Sequence, residues 1–126
     1  MLAAKYRFHG YGALKFLFGH GKTYRLKSIS VRSARNTRRQ HSRVAVVISK
    51  KVIKASPKRN TVRRRVYEII RTHWDNILPG NDILISVYDP NIQTLTYDQL
   101  VAEIRQALQL AHLWNEAAEH KNPSET

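Results

Sequence analysis

The chain has 126 residues, 42% of them apolar, and its 22 Lys and Arg against 9 Asp and Glu give a formal charge of +13 and a pI near 10.5. One modest domain with its own core fits that length, and the absence of cysteine excludes disulfides, thiolate metal sites and a cysteine nucleophile. The longest aliphatic run, residues 44–48, is far too short to span a bilayer and the N-terminus lacks the apolar stretch of a secretory signal, so no membrane association and a cytoplasmic location are expected.

In chain order, Leu14, Leu17 and Phe18 fall at i, i+3 and i+4 with Gly19 and Gly21 beyond them, which predicts a short helix closed by glycine. Residues 24–31 alternate polar and apolar side chains and read as one strand. The run 33–43 has four arginines and no apolar periodicity, as in a hairpin loop or a flexible arm. Residues 44–48 are β-branched and apolar on both faces, predicting a central strand covered on both sides.

Val62, Val66, Ile69 and Ile70 then recur at i, i+4, i+7 and i+8, the pattern of a helix packed on a sheet. Projection at 100° per residue puts Asn60, Arg64, Tyr67 and Arg71 on a second stripe, with Arg59 and Arg63 on the border of the buried one. Pro79-Gly80-Asn81-Asp82 reads as a turn and residues 83–88 as a second apolar strand, so the strand, helix, strand succession suggests a crossover between parallel partners. Thr96 and Gln99 have capping-box spacing ahead of Leu100, Ile104, Leu108 and Ala111, predicting a long amphipathic helix to about Trp114. The polar tail, 119–126, is expected to fray. With no internal repeat, residues 1–126 read as one domain with its core over about 7–118.

Charge is divided along this chain. Residues 1–75 hold 20 Lys and Arg and only Glu68 and Asp75, a charge of +18, whereas residues 76–126 hold two basic and seven acidic residues, −5. Such self-repulsion points to a polyanionic partner, first nucleic acid, whose phosphates release counterions as Lys and Arg replace them, and second an anionic membrane surface.

Signs of intrinsic chemistry are weak. The six histidines, at 9, 20, 41, 73, 112 and 120, include no i, i+4 pair, and the glycines at 10, 12, 19 and 21 lack the lysine and preceding strand of a phosphate-binding loop. Carboxylates are too scarce in the basic part to build an acid–base or two-metal pair. No residue is therefore assigned a catalytic or metal-binding role, although Asp75, Asp82 and His73 are the groups a self-sufficient metal-dependent nuclease would have to use. Ser49-Lys50-Lys51 followed by Arg59-Asn60-Thr61-Val62-Arg63-Arg64 is different, because it couples a strand end to a helix start and lines both with donors suited to phosphate. A solvated basic face explains it poorly, since Lys50, Lys51, Lys54, Lys58 and Arg59 have no acid near them in sequence.

This arrangement of buried strand, Ser-Lys-Lys, spacer and Arg-Asn helix resembles the bacterial ribonuclease P protein subunit family, over roughly residues 7–114. Arg59, Asn60, Arg63, Arg64 and Glu68 match the family motif Arg-Asn-x-x-Lys/Arg-Arg-x-x-Arg-Glu, and Leu14-Lys15-Phe16-Leu17-Phe18 with Gly21 is similar to its first helix and turn. Departures are Tyr67 where the family usually has Arg, Leu14 where it usually has Phe, and Arg32 near a commonly aromatic position. The resemblance implies a single α+β sandwich domain of order αβββαβα, with a left-handed βαβ crossover like that of the second domain of ribosomal protein S5. The residues themselves show only two strands before the Arg-Asn helix, so the third is expected within residues 22–48.

By the same resemblance, the chain binds a catalytic RNA that holds Mg²⁺ and removes the 5′ leader of precursor tRNA, with no obligate protein partner evident. Lys50, Lys51, Lys54, Lys58, Arg59, Asn60, Arg63, Arg64 and Arg71 are the expected RNA contacts. Phe16, Phe18, Arg32, Arg63 and Tyr67 are the expected leader cleft, with Phe18 partly buried beside Leu14 and Phe16 the freer ring. The competing reading is a general or ribosome-associated RNA-binding protein.

Overall fold

The computed structural model describes residues 4–7, 17, 19, 21–35 and 41–116. Within them lie β1 (Lys22–Arg25), β2 (Ile29–Arg35), β3 (Arg43–Ile48), α1 (Ser56–Thr72), β4 (Asn81–Val87) and α2 (Tyr97–Leu110). The sheet order is β1-β2-β4-β3, with β1/β2 and β2/β4 antiparallel and β3/β4 parallel. The expected helix crossover between parallel strands is therefore β3-α1-β4, and three strands precede its helix. Leu17 and Gly19 have helical backbone; the remainder of the first predicted helix, the loop 36–40 and the tail lie outside the described residues.

Two sequence expectations for the sheet are corrected. Residues 24–31 are a hairpin and not one strand: the chain turns over Leu26-Lys27-Ser28, where the Leu26 N–H donates to the Ile29 carbonyl (2.9 Å). The apolar run 44–48 lies on an edge of the sheet, while β4 takes a central place. Its apolar character has other causes. Val44, Val46 and Ile48 face the main core, Ala45 joins a small second cluster with Leu17, Ala34 and Leu84, and Val47 is 39% exposed. Arg7 bridges to Val44, and the Tyr67 hydroxyl accepts the Val46 N–H (3.1 Å), so β3 is not a bare edge.

Strand alternation divides the sheet into two faces. Ile29, Val31, Val44, Val46, Ile83, Ile85 and Val87 pack under α1 and α2, and Val62, Val66, Ile69 and Ile70 of α1 close over them as the periodicity predicts. Burying each such side chain contributes about 1.5–3 kcal/mol. Tyr67, expected on the second stripe and in the leader cleft, belongs instead to this core with 6% exposure, because its long phenol reaches back to β3. Tyr67→Phe leaves the Val46 N–H without its acceptor and is expected to cost about 1–3 kcal/mol in urea unfolding; an unchanged midpoint would mean that the hydroxyl contributes nothing there.

The expected Thr96–Gln99 capping box opens α2: the Gln99 N–H donates to Thr96 Oγ1 (3.2 Å) and the Thr96 N–H to Gln99 Oε1 (2.9 Å). The helix stops at Leu110, short of the predicted end near Trp114. His112 takes a left-handed φ of 58°, the Leu113 N–H donates to the Leu108 carbonyl (2.8 Å), and buried Leu113 folds back on the core.

Candidate nucleic-acid interface

The loop between β3 and α1 is folded down on the helix start. The Val52 and Ile53 N–H groups both donate to the Ser49 carbonyl, and Ile53 is buried. Arg59 Nη1 donates to the carbonyls of Ile53 (2.9 Å) and Lys54 (2.8 Å), fastening the loop to α1. Pro57 in the first turn suits a helix start, where its missing N–H costs nothing. These bonds leave Lys50, Lys51, Lys54 and Lys58 exposed around one corner, continuous with exposed Asn60 and Arg64 and half-buried Arg63 on the helix. Arg63 Nη1 donates to Asn60 Oδ1 (2.6 Å), which orients the guanidinium without cancelling its charge.

The far end of the stripe is different in kind. Arg71 Nε donates to Glu68 Oε1, and this ion pair lowers the Glu68 carboxyl below the usual carboxylate value and raises that of Arg71. Arg71 is thus partly neutralised, whereas among the described residues no carboxylate pairs with Arg63 or Arg64.

On the second face of the sheet, Leu17 sits fully buried against Ala34, Ala45 and Leu84. Gly21 makes that approach possible: its N–H donates to the Leu17 carbonyl (2.7 Å), and a Cβ there would lie 2.6 Å from the same oxygen. Arg32 lies alongside, its Nε donating to the Leu17 carbonyl (3.1 Å) and its Nη1 to Thr23 Oγ1 (2.8 Å). Of the expected cleft residues, Phe16 and Phe18 lie outside the described residues, Tyr67 is in the core, Arg63 is on α1 beside Asn60 with the basic corner, and Arg32 is on this face.

The family profile described as Ribonuclease P matches residues 2–112. The chain belongs to the ribonuclease P protein family. Ribonuclease P protein components similar to it include that of Blochmanniella floridana, 35% identical over 92 residues (72% of this chain, 76% of that one), and that of Roseiflexus sp. strain RS-1, 35% identical over 91 residues (72% and 73%). Among solved structures, the Staphylococcus aureus RNase P protein superposes with a TM-score of 0.78 at 21% identity, covering 87% of this chain and 98% of that one. The Thermotoga maritima RNase P protein gives 0.69 at 23%, covering 77% and 89%. Those two likenesses establish the α+β fold.

As a ribonuclease P protein, the chain is a component of a ribonucleoprotein of tRNA processing, and no helix among the described residues is long and apolar enough to cross a membrane. Sequence reasoning missed part of its second sheet face. Ser30 and Ser86 pair across β2 and β4, Val47 is Ser86's partner on β3, and Arg25 lies over the ring of exposed Tyr88 (5.6 Å). Ser86 within the apolar run of β4 was the available signal, since a small polar residue marks a face that is not filled by core. Of the groups a metal-dependent nuclease would use, Asp82 is bound by Arg43, and the His73 ring nitrogen Nδ1 lies 3.0 Å from the Ile69 carbonyl.

Proposed function

We propose that this chain binds ribonuclease P RNA through Lys50, Lys51, Lys54, Lys58, Arg59, Asn60, Arg63 and Arg64, with Arg71 a weaker contact. The second sheet face beside Leu17, with Arg32, receives the single-stranded 5′ leader of precursor tRNA, and Phe16 and Phe18 are the rings proposed to stack on it. The supporting observation is the corner itself: buried Ile53 and the two Arg59 bonds gather cations from a loop and a helix onto one surface. Replacing phosphate counterions there lets folded RNA and substrate approach one another at lower electrostatic cost.

The chain's part is binding and orientation, in the cytoplasm where precursor tRNA is processed. Hydrolysis of the leader phosphodiester is assigned to the RNA partner with Mg²⁺. The basic corner does not itself fit that ion: its nearest carboxylate on α1, Glu68, is paired with Arg71.

Comparison of precursor and mature tRNA binding to the reconstituted holoenzyme tests the leader assignment. A stacked base is worth about 1–3 kcal/mol, so the leader-bearing substrate is expected to bind at least about fivefold tighter. Equal affinity, with salt-sensitive RNA binding retained, would instead describe a general or ribosome-associated RNA-binding protein.

A further inference from the structure

A second basic feature lies on the other flank of α1. Lys58, Thr61, Val62 and Arg65, with Gln93 of the 3-10 turn Pro90–Thr94, enclose an open hollow of about 140 Å³. At 100° per residue, positions 58, 61 and 65 fall together on the edge of the buried stripe opposite to Arg59 and Arg63. The hollow shares Lys58 with the basic corner, but its Thr61 and Arg65 lie on the flank of α1 away from Arg59 and Arg63.

Arg65 gives it its character. Its Nη2 donates to the Leu95 carbonyl (2.6 Å) and its Nη1 to the Ile92 carbonyl (3.5 Å). Carbonyls orient a guanidinium but leave its unit charge uncancelled. Arg43 and Arg71 are neutralised by Asp82 and Glu68, whereas among the described residues no carboxylate pairs with Arg65. Exposed Lys58 adds a second positive charge from a helix turn that has no acid and no side-chain cap. Thr61 Oγ1 donates to the Pro57 carbonyl, and Gln93 Nε2, donating to Pro90, keeps a second amide hydrogen. The volume is several times the roughly 30 Å³ share of one water.

We propose that this hollow binds a phosphate group between Lys58 and Arg65. Two sources share that chemistry: a backbone phosphodiester of bound RNA, which rests on the RNA-binding function proposed above, and free inorganic phosphate. With the first, RNA grips the start of α1 from both flanks.

Gln93→Glu tests the proposal by placing a carboxylate in the hollow while leaving Arg65's carbonyl partners in place, and Arg65→Gln repeats the test without adding negative charge, keeping an amide donor for the Leu95 carbonyl. The readouts are the salt dependence of ribonuclease P RNA binding and the amide shifts of the full-length chain titrated with inorganic phosphate. If RNA is the source, each variant lowers the slope of log K against log salt by about 1. If free phosphate binds, Thr61, Arg65 and Gln93 shift in the parent chain and not in the variants. Either result supports the site and names its source; unchanged slopes together with no phosphate-dependent shift overturn it. If Arg63→Ala/Arg64→Ala lowers the slope and the hollow variants do not, the hollow is not an RNA site while the RNA-binding corner stands. If none of them lowers it, RNA binding by α1 itself fails.

Discussion

Replacing Arg63 and Arg64 together by alanine is expected to lower affinity for ribonuclease P RNA about fortyfold at 0.1 M salt. The estimate takes one phosphate per guanidinium and about 0.8 logarithmic unit of salt dependence per contact. The slope itself should fall by about 1.6. Fold should be retained, because Arg64 is exposed and the side-chain bond of Arg63 runs to Asn60 on the same helix. Arg59→Ala is a less clean probe, since it also releases the Ile53 and Lys54 carbonyls and with them the loop 49–55. Lysine at positions 63 and 64 keeps the charge but not the fork. A retained slope with reduced affinity in that variant would show that the planar guanidinium is used. An unchanged slope in the alanine pair would remove both arginines from the interface.

Asp82→Ala is expected to be the most damaging substitution for stability. Its carboxylate accepts two bonds from Arg43, from Nε and Nη2 at 3.0 Å each, with the two side chains 4% and 16% exposed. Removing one partner of a largely buried, doubly bonded ion pair costs about 3–5 kcal/mol. For a domain of this size that lowers the melting temperature by about 10 °C or more. The pair joins β3 to β4 at the first residues of their parallel register, so its loss loosens the strand that leads into the basic corner. Substituting both members, Arg43→Leu with Asp82→Ala, removes both buried charges and should recover most of the loss. A single variant as stable as the parent would show that Arg43 finds water or another acceptor at no cost.

How much of this was legible in the sequence varies with the kind of signal. The buried stripe of α1, the crossover it belongs to and the Thr96–Gln99 box follow from periodicity and from short-range chemistry, and the structure has them as read. The hairpin at Leu26-Lys27-Ser28 was hidden because no glycine, proline or asparagine marks it. The edge position of β3 was hidden for another reason. β-Branched residues read as doubly buried, and neither the Arg7 bridge nor the Tyr67 hydroxyl that covers that edge is a local property of residues 44–48. Tyr67 itself misleads a helical projection, which places a Cβ but not the end of a long side chain.

The candidate site divides in the same way. The basic residues of the corner could be named from the strand-linked Lys-Lys and the Arg-Asn helix start. That Arg59 and Arg65 are each held by two backbone carbonyls, which leave their charge in place, whereas Arg71 is paired with Glu68, are tertiary facts. Charge counting gives all of these arginines equal weight; their partners do not.

The central claim is tested most directly by cleavage of 5′-labelled precursor tRNA at low Mg²⁺ by a bacterial ribonuclease P RNA, with and without this chain, and by the chain alone. The account predicts the mature 5′ end only when the RNA is present, with cleavage restored by the protein and none from the protein by itself. Cleavage by the protein and Mg²⁺ without RNA, or no restoration alongside tight, leader-independent RNA binding, would contradict it.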